Sequence, residues 1–223
     1  MNKIYFFGDS FVANTGCRPQ DSYYKKTFDG SQRTWTEILS EKYGKEEVNL
    51  GSPGLSNFDI LNTVWKYIGD INEKDSVVIR IGPYDRYNID GEKRKFIDND
   101  LLTLDKTARY PLYNYFIKKD STERYKQKLI QSTTLTKEEI DILISFNKHF
   151  NKTGLYQRNF LKNAFKNISL QLREKNIKHF IFDHEWRDFM NDWNGIKKIH
   201  NLTPGHFTWE QHIKFAKLIS NYL

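Results

Sequence analysis

Ile4-Tyr5-Phe6-Phe7-Gly8-Asp9-Ser10-Phe11 carries the first decision about the fold. Apolar and aromatic residues from Ile4 to Phe7 run without interruption into a glycine followed by an acid and a hydroxyl. This is the pattern of a short buried strand that enters a turn. The run is too short for a signal-peptide core and far too short to span a bilayer, and Asp9 follows almost at once.

Working outward, Thr34 to Tyr43 (TWTEILSEKY) sets Trp35, Ile38, Leu39 and Tyr43 at helical spacing, and Gly44 is a natural stop. Val48-Asn49-Leu50 reads as a second strand, running into Gly51-Ser-Pro-Gly-Leu-Ser-Asn57. The pattern from Asn57 to Ile68 predicts a helix with Ile60, Leu61, Val64, Trp65 and Ile68 on one stripe. Ser76 to Ile81 (SVVIRI) predicts a third strand, closed by Gly82-Pro83. Strands alternating with helices through short loops predict an α/β fold, a three-layer α/β/α sandwich around a parallel sheet of about four or five strands.

From Arg86 to Thr134 the pattern breaks into polar and aromatic sequence, including RYPLYNYFIKK at residues 109 to 119. A structureless loop of that length is unusual inside a compact domain, so residues 86–134 are expected to form an insertion with structure of its own. The whole chain, residues 1–223, then reads as a single domain interrupted after its third strand. Thr136 with Glu139 has capping-box spacing, and helical patterns follow over 137–149 and 155–175. His179 to Phe182 (HFIF) reads as a fourth core strand. The C-terminal stretch Thr208–Leu223 carries Ile213, Phe215, Ala216, Leu218 and Ile219 in helical register, with Thr208 and Gln211 as another capping pair.

Composition narrows the function classes. Aromatic residues make up 15% of the 223, which excludes disordered and fibrous architectures. A single cysteine, Cys17, excludes a disulfide framework and a cysteine-based zinc site. Lys and Arg number 35 against 28 Asp and Glu, a formal net charge of +7. The longest pure basic run is only Lys93 to Lys95, so the charge reads as dispersed and no nucleic-acid partner is expected. His149, His179, His184 and His200 lack metal-ligand spacing, and neither a metal nor a cofactor is expected. No stretch is long and apolar enough to span a membrane, and the chain reads as soluble, either cytoplasmic or part of a larger assembly such as a virus particle.

Three short segments could carry chemistry. Gly8-Asp9-Ser10 closes the first strand, where parallel α/β sheets place their ligands. A serine there either caps a helix start or acts as a nucleophile once an imidazole takes its proton. Thr203-Pro-Gly-His206-Phe-Thr208 holds a histidine in a turn just ahead of the last helix, a fitting place for a general base. The glycines of Gly51-Ser-Pro-Gly54 let the backbone turn sharply and present N–H groups to an oxyanion.

Together these blocks resemble the SGNH hydrolases, the GDSL-type esterases and lipases, over residues 1–85 and 176–223. The resemblance implies a flavodoxin-like sandwich in which Ser10 is the nucleophile and His206 the base. It also implies that the N–H groups of Ser10 and Gly54 hold the oxyanion, and His212 matches a second, non-catalytic histidine. Two positions depart from the family. Tyr84 stands where an asparagine donates to the oxyanion, and Thr203 replaces the aspartate that orients the imidazole. Asp183 or Glu185 in that role, or a simple Ser–His dyad, are all compatible with the sequence.

The implied activity is a serine esterase cleaving an acyl or acetyl ester, on a carbohydrate or small molecule, with no cofactor. The alternatives are a catalytically degenerate binding or structural module, as in a virus particle or a surface-polysaccharide system, and an acyltransferase using the same residues. Tyr87, Tyr110, Tyr113, Tyr115, Phe116 and Tyr125 lie in the insertion. They read either as a lid over the substrate or as the insertion's own small core.

Overall fold

A computed structural model describes residues 1–13, 33–52, 55–82, 86–92, 107–113, 126–127, 130, 136–150, 155–183 and 209–223. In chain order the first elements are β1 (Lys3–Phe7), α1 (Trp35–Tyr43), β2 (Glu46–Asn49), α2 (Asn57–Tyr67) and β3 (Ser76–Ile81). They are followed by β4 (Arg86–Glu92), β5 (Thr107–Tyr113), α3 (Lys137–Phe150), α4 (Leu155–Glu174), β6 (Lys178–Asp183) and α5 (Trp209–Ile219).

The core sheet is four-stranded and parallel, in the order β2-β1-β3-β6. The path from β1 through α1 steps to one side of β1, and the path from β2 through α2 crosses to the other. Right-handed crossovers in opposite directions put the two helices on opposite faces. On one face Tyr5, Phe7, Val77 and Ile79 pack against Ile60 and Val64 of α2 and Leu161 and Phe165 of α4. On the other, Ile4, Phe6, Val78 and Phe182 pack against Trp35 and Leu39 of α1 and Phe215 and Ile219 of α5. Trp35 presents an edge-to-face contact to Phe6 at 5.3 Å and another to Phe215 at 5.0 Å, locking α1 and α5 to the same patch of sheet. The result is an α/β fold with helices on both faces of a parallel sheet.

Local chemistry sets the helix ends. Thr34 and Glu37 form a reciprocal capping box at α1, and Ser56 with Asp59 forms another at α2. The box expected at Thr136 is present, with the Glu139 carboxylate accepting the Thr136 N–H at 2.7 Å and Thr136 Oγ1 accepting the Glu139 N–H at 3.2 Å. α1 ends at Gly44, where it was expected to stop. The capping pair read at Thr208 and Gln211 begins outside the described residues.

Two expectations need correction. β2 spans Glu46–Asn49 rather than Val48–Leu50. It is an edge strand, so its first pairings, Lys3 with Glu46 and Ile4 with Glu47, tolerate polar residues that hid the strand's start. Trp65 is 42% exposed, although apolar spacing puts it on one stripe with Ile60 and Val64. It falls just past the edge of the face that α2 turns to the sheet. Within residues 86–134, β4 and β5 pair antiparallel as a separate two-stranded sheet, from Arg86 with Tyr113 to Glu92 with Thr107.

Candidate functional site

Strand order reverses between β1 and β3, the two strands from which chain connections leave in opposite directions. Such a reversal opens a crevice at the carboxyl ends of those strands. Ser10 stands there, half-buried, three residues beyond the last residue of β1. Its turn is closed by the Val12 and Ala13 N–H groups, both donating to the Asp9 carbonyl at 3.0 and 2.9 Å. The Phe11 N–H donates to Asp9 Oδ1 at 3.2 Å. Asp9 therefore supplies the capping side chain of this turn, and among the described residues the Ser10 hydroxyl makes no hydrogen bond.

Asp9 is 1% exposed and Arg80, on β3, is 4% exposed, and the two form an ion pair. The Arg80 guanidinium also lies over the Phe11 ring, 4.2 Å from its centre. Arg80 extends the side of β3 that Val78 occupies, so it enters the face otherwise filled by Phe6, Trp35 and Phe182. This residue was missed in the sequence. The available signal was a lone charge inside SVVIRI, a strand buried along its whole length, where a cation has to be paired.

Two glycines let the loops interlock. A Cβ on Gly8 would come within 2.4 Å of Val12 Cγ2, and one on Gly51 within 2.5 Å of the Ala13 nitrogen. The loop after β2 thus lies directly against the Ser10 turn. The Ser52 N–H donates to the Gly8 carbonyl at 3.1 Å, and Asn49 Nδ2 donates to the Val12 carbonyl at 2.7 Å. Asn49 Oδ1 in turn accepts the Gly51 N–H at 3.0 Å. Asn57, at the start of α2, donates to the Gly82 carbonyl at 3.0 Å, tying that helix to the end of β3. Beside this network the Glu47 carboxyl is pushed up from its ordinary range by burial, which outweighs the hydrogen bonds from Thr36 and Asn49.

Of the residues assigned a catalytic, oxyanion-holding or orienting role, Ser10 and Asp183 are described. Asp183 is buried at the carboxyl end of β6, paired in register with Ile81. Alternation along β6 carries it to the side of Ile181, the α2/α4 face, whereas Phe182 faces α1 and α5. Gly54, Tyr84, Thr203, His206, Glu185 and Cys17 lie outside the described residues. His206 precedes Trp209, the first residue of α5, by three positions. His212, on α5, is buried and accepts the Trp35 backbone N–H at Nδ1.

A Ser–His hydrogen bond does occur elsewhere. His179 Nε2 lies 2.8 Å from Ser169 Oγ, and His179 Nδ1 lies 2.9 Å from the Ile177 carbonyl. Ser169 is buried and His179 pairs with Val77 near the amino end of the sheet, so this pair braces α4 against β6 far from the crevice. Among the described residues no group of three His, Cys, Asp or Glu side chains is placed to hold a metal ion, and no helix is long and apolar enough to cross a membrane.

No protein-family model matches the chain, and no curated protein matches it in sequence. Among solved structures it is similar to a G-D-S-L family protein from Desulfitobacterium hafniense DCB-2, with 15% identity over 100% of both chains and a TM-score of 0.36. It is also similar to a member of the lipolytic protein G-D-S-L family from Veillonella parvula DSM 2008, with 12% identity over 99% of this chain and 97% of that one and a TM-score of 0.39. At these scores neither likeness bears on the chemistry of the crevice.

Proposed function

We propose that the protein is a serine ester hydrolase with Ser10 as nucleophile. The observation that supports this best is the position of Ser10 at the carboxyl end of β1, beside the reversal of strand order, on a turn whose capping is done by Asp9. In this reading Ser10 Oγ attacks the carbonyl carbon of an acyl or acetyl ester of a carbohydrate or small molecule. His206 takes the hydroxyl proton and passes it to the departing alkoxide, leaving an acyl group on Ser10. A water then attacks the acyl carbon, giving its proton to His206, and the free acid leaves as Ser10 regains its hydrogen. The N–H groups of Ser10 and Gly54 are assigned to the oxyanion, with the Tyr84 hydroxyl as a third donor.

Thr203 and Asp183 are the two groups assigned to orient the His206 ring, and they are separable. Asp183→Asn removes a charge, whereas Thr203→Val removes only a hydroxyl. Residues 86–134, which contain the β4–β5 hairpin, are assigned as an insertion over the substrate side of a single domain.

A fluorophosphonate probe tests the reading directly. Wild-type protein is expected to be labelled, Ser10→Ala not at all, and His206→Ala on the order of a thousandfold more slowly. Equal labelling of wild type and Ser10→Ala, or none of either, would overturn the assignment.

A further inference from the structure

We propose that Arg80 is a positioning residue, a clamp from β3 that fixes the turn carrying Ser10; its catalytic consequence rests on the reading of Ser10 as nucleophile. The observation is a straddle. The Arg80 guanidinium takes the Asp9 carboxylate on one flank of Ser10 and lies 4.2 Å from the centre of the Phe11 ring on the other. Asp9 Oδ1 also accepts the Phe11 N–H, so one carboxylate oxygen joins the strand and both flanking residues. On the same face of the sheet, Trp35 Nε1 of α1 donates to the Phe11 carbonyl at 3.1 Å. Residues 9 and 11 are thereby held against two separate elements, β3 and α1, and the residue between them inherits their position.

Stability alone is a weak reason for this pair. Removing two charges from water is costly, and apolar residues of similar volume often hold a fold equally well. The pair interrupts an aromatic face that could otherwise continue from Val78 and Phe182. Arginine suits the arrangement because its flat fork can engage a carboxylate at its edge while its face rests on a ring. A lysine can do only the first.

The consequence falls on reactivity rather than on binding. A nucleophile misplaced by about 1 Å reacts on the order of a hundredfold more slowly, while a small ester still enters the crevice. The experiment compares wild type, Arg80→Lys, Arg80→Met and the double variant Asp9→Asn/Arg80→Met, which removes both charges of the pair, with circular dichroism establishing that each variant is folded. Fluorophosphonate labelling rates and p-nitrophenyl acetate kinetics are read beside amide hydrogen exchange across residues 8–13.

Arg80→Met and the double variant are expected to label about ten- to a hundredfold more slowly. They should show lower kcat, nearly unchanged KM and faster exchange at Phe11, Val12 and Ala13. Arg80→Lys, which keeps the charge without the flat ring contact, should fall between. Wild-type labelling in the folded double variant overturns the clamp. If the wild type itself is unlabelled, the nucleophile reading fails separately, and exchange then decides the clamp. Faster exchange in the double variant supports it, and unchanged exchange overturns it.

Discussion

The Trp35 backbone N–H donates to His212 Nδ1 at 3.1 Å, joining the first turn of α1 to the first turn of α5 across the buried face of the sheet. The first N–H groups of a helix have no partner within it, and Trp35 is fully buried, so water cannot replace the imidazole. His212→Phe leaves that donor unpaired and is expected to cost about 1–3 kcal/mol in urea denaturation. His212→Asn places an oxygen near the position of Nδ1 and should recover part of the loss. A Phe variant more stable than the Asn variant would show that ring packing, not the hydrogen bond, is what His212 contributes.

The contact between Gly51 and Ala13 makes a second prediction. A Cβ on Gly51 meets backbone atoms, the Ala13 nitrogen at 2.5 Å and the Val12 carbonyl carbon at 2.8 Å, and neither can swing aside. Gly51→Ala is expected to destabilise the protein by about 1–3 kcal/mol. It should also slow fluorophosphonate labelling, because the Ser10 turn must shift to make room. Gly8→Ala meets Val12 Cγ2 at 2.4 Å, on a fully buried β-branched side chain, and the Arg80 carbonyl at 3.1 Å, so it should destabilise by a comparable amount.

α2 offers a test of helix register. Ile60 is fully buried against the sheet and Trp65 is 42% exposed, although apolar spacing alone puts both on one stripe. Ile60→Ala is expected to cost about 2–5 kcal/mol. Trp65→Gln should stay within about 0.5 kcal/mol of wild type. A large loss at Trp65 would mean that another surface covers it.

These residues mark how much was legible in the sequence. Apolar runs and capping residues act over a few positions, so β1, β3, α1, α2 and the Thr136 box followed from local pattern. β2 was read late because an edge strand's polar start carries no apolar signal. Partnerships across the chain were not legible. Asp9 finds Arg80 over 71 positions, and Trp35 finds His212 over 177. Only the fold decides which strand lies beside which, and therefore which charge meets which. For the candidate site, Ser10 was legible as a turn residue after β1, whereas its restraint by Asp9, Phe11 and Arg80 was not.

Glu139 supports a pH prediction of one sign. Hydrogen bonds from the Thr136 backbone and side chain hold its carboxyl below the ordinary range. A depressed carboxyl adds stability above its unfolded pKa and loses it as pH falls through the folded value. Glu139→Gln keeps a capping side chain but not the charge, so it should be less stable than wild type at neutral pH. Thermal melts should converge below the ordinary carboxylate range. A difference that persists in acid would mean that the charge is not its source.

Glu47 runs the other way. Burial raises its carboxyl above the ordinary carboxylate range, with hydrogen bonds from Thr36 and Asn49 only partly opposing the shift. As pH rises through the ordinary carboxylate range the unfolded chain ionises first, so the native state loses stability through the window up to the raised folded value and stays lower above it. Glu47→Gln preserves an acceptor for Asn49 Nδ2, which lies 3.1 Å from Glu47 Oε1, and removes the charge that burial penalises. The variant is expected to be more stable than wild type at neutral pH and equal to it in acid, a pattern urea midpoints at the two pH values will read. Because Asn49 also holds the Val12 carbonyl at 2.7 Å, the gain should leave the exchange of residues 11–13 unchanged. Faster exchange there would show that the ionised Glu47 is needed to hold Asn49 against the Ser10 turn.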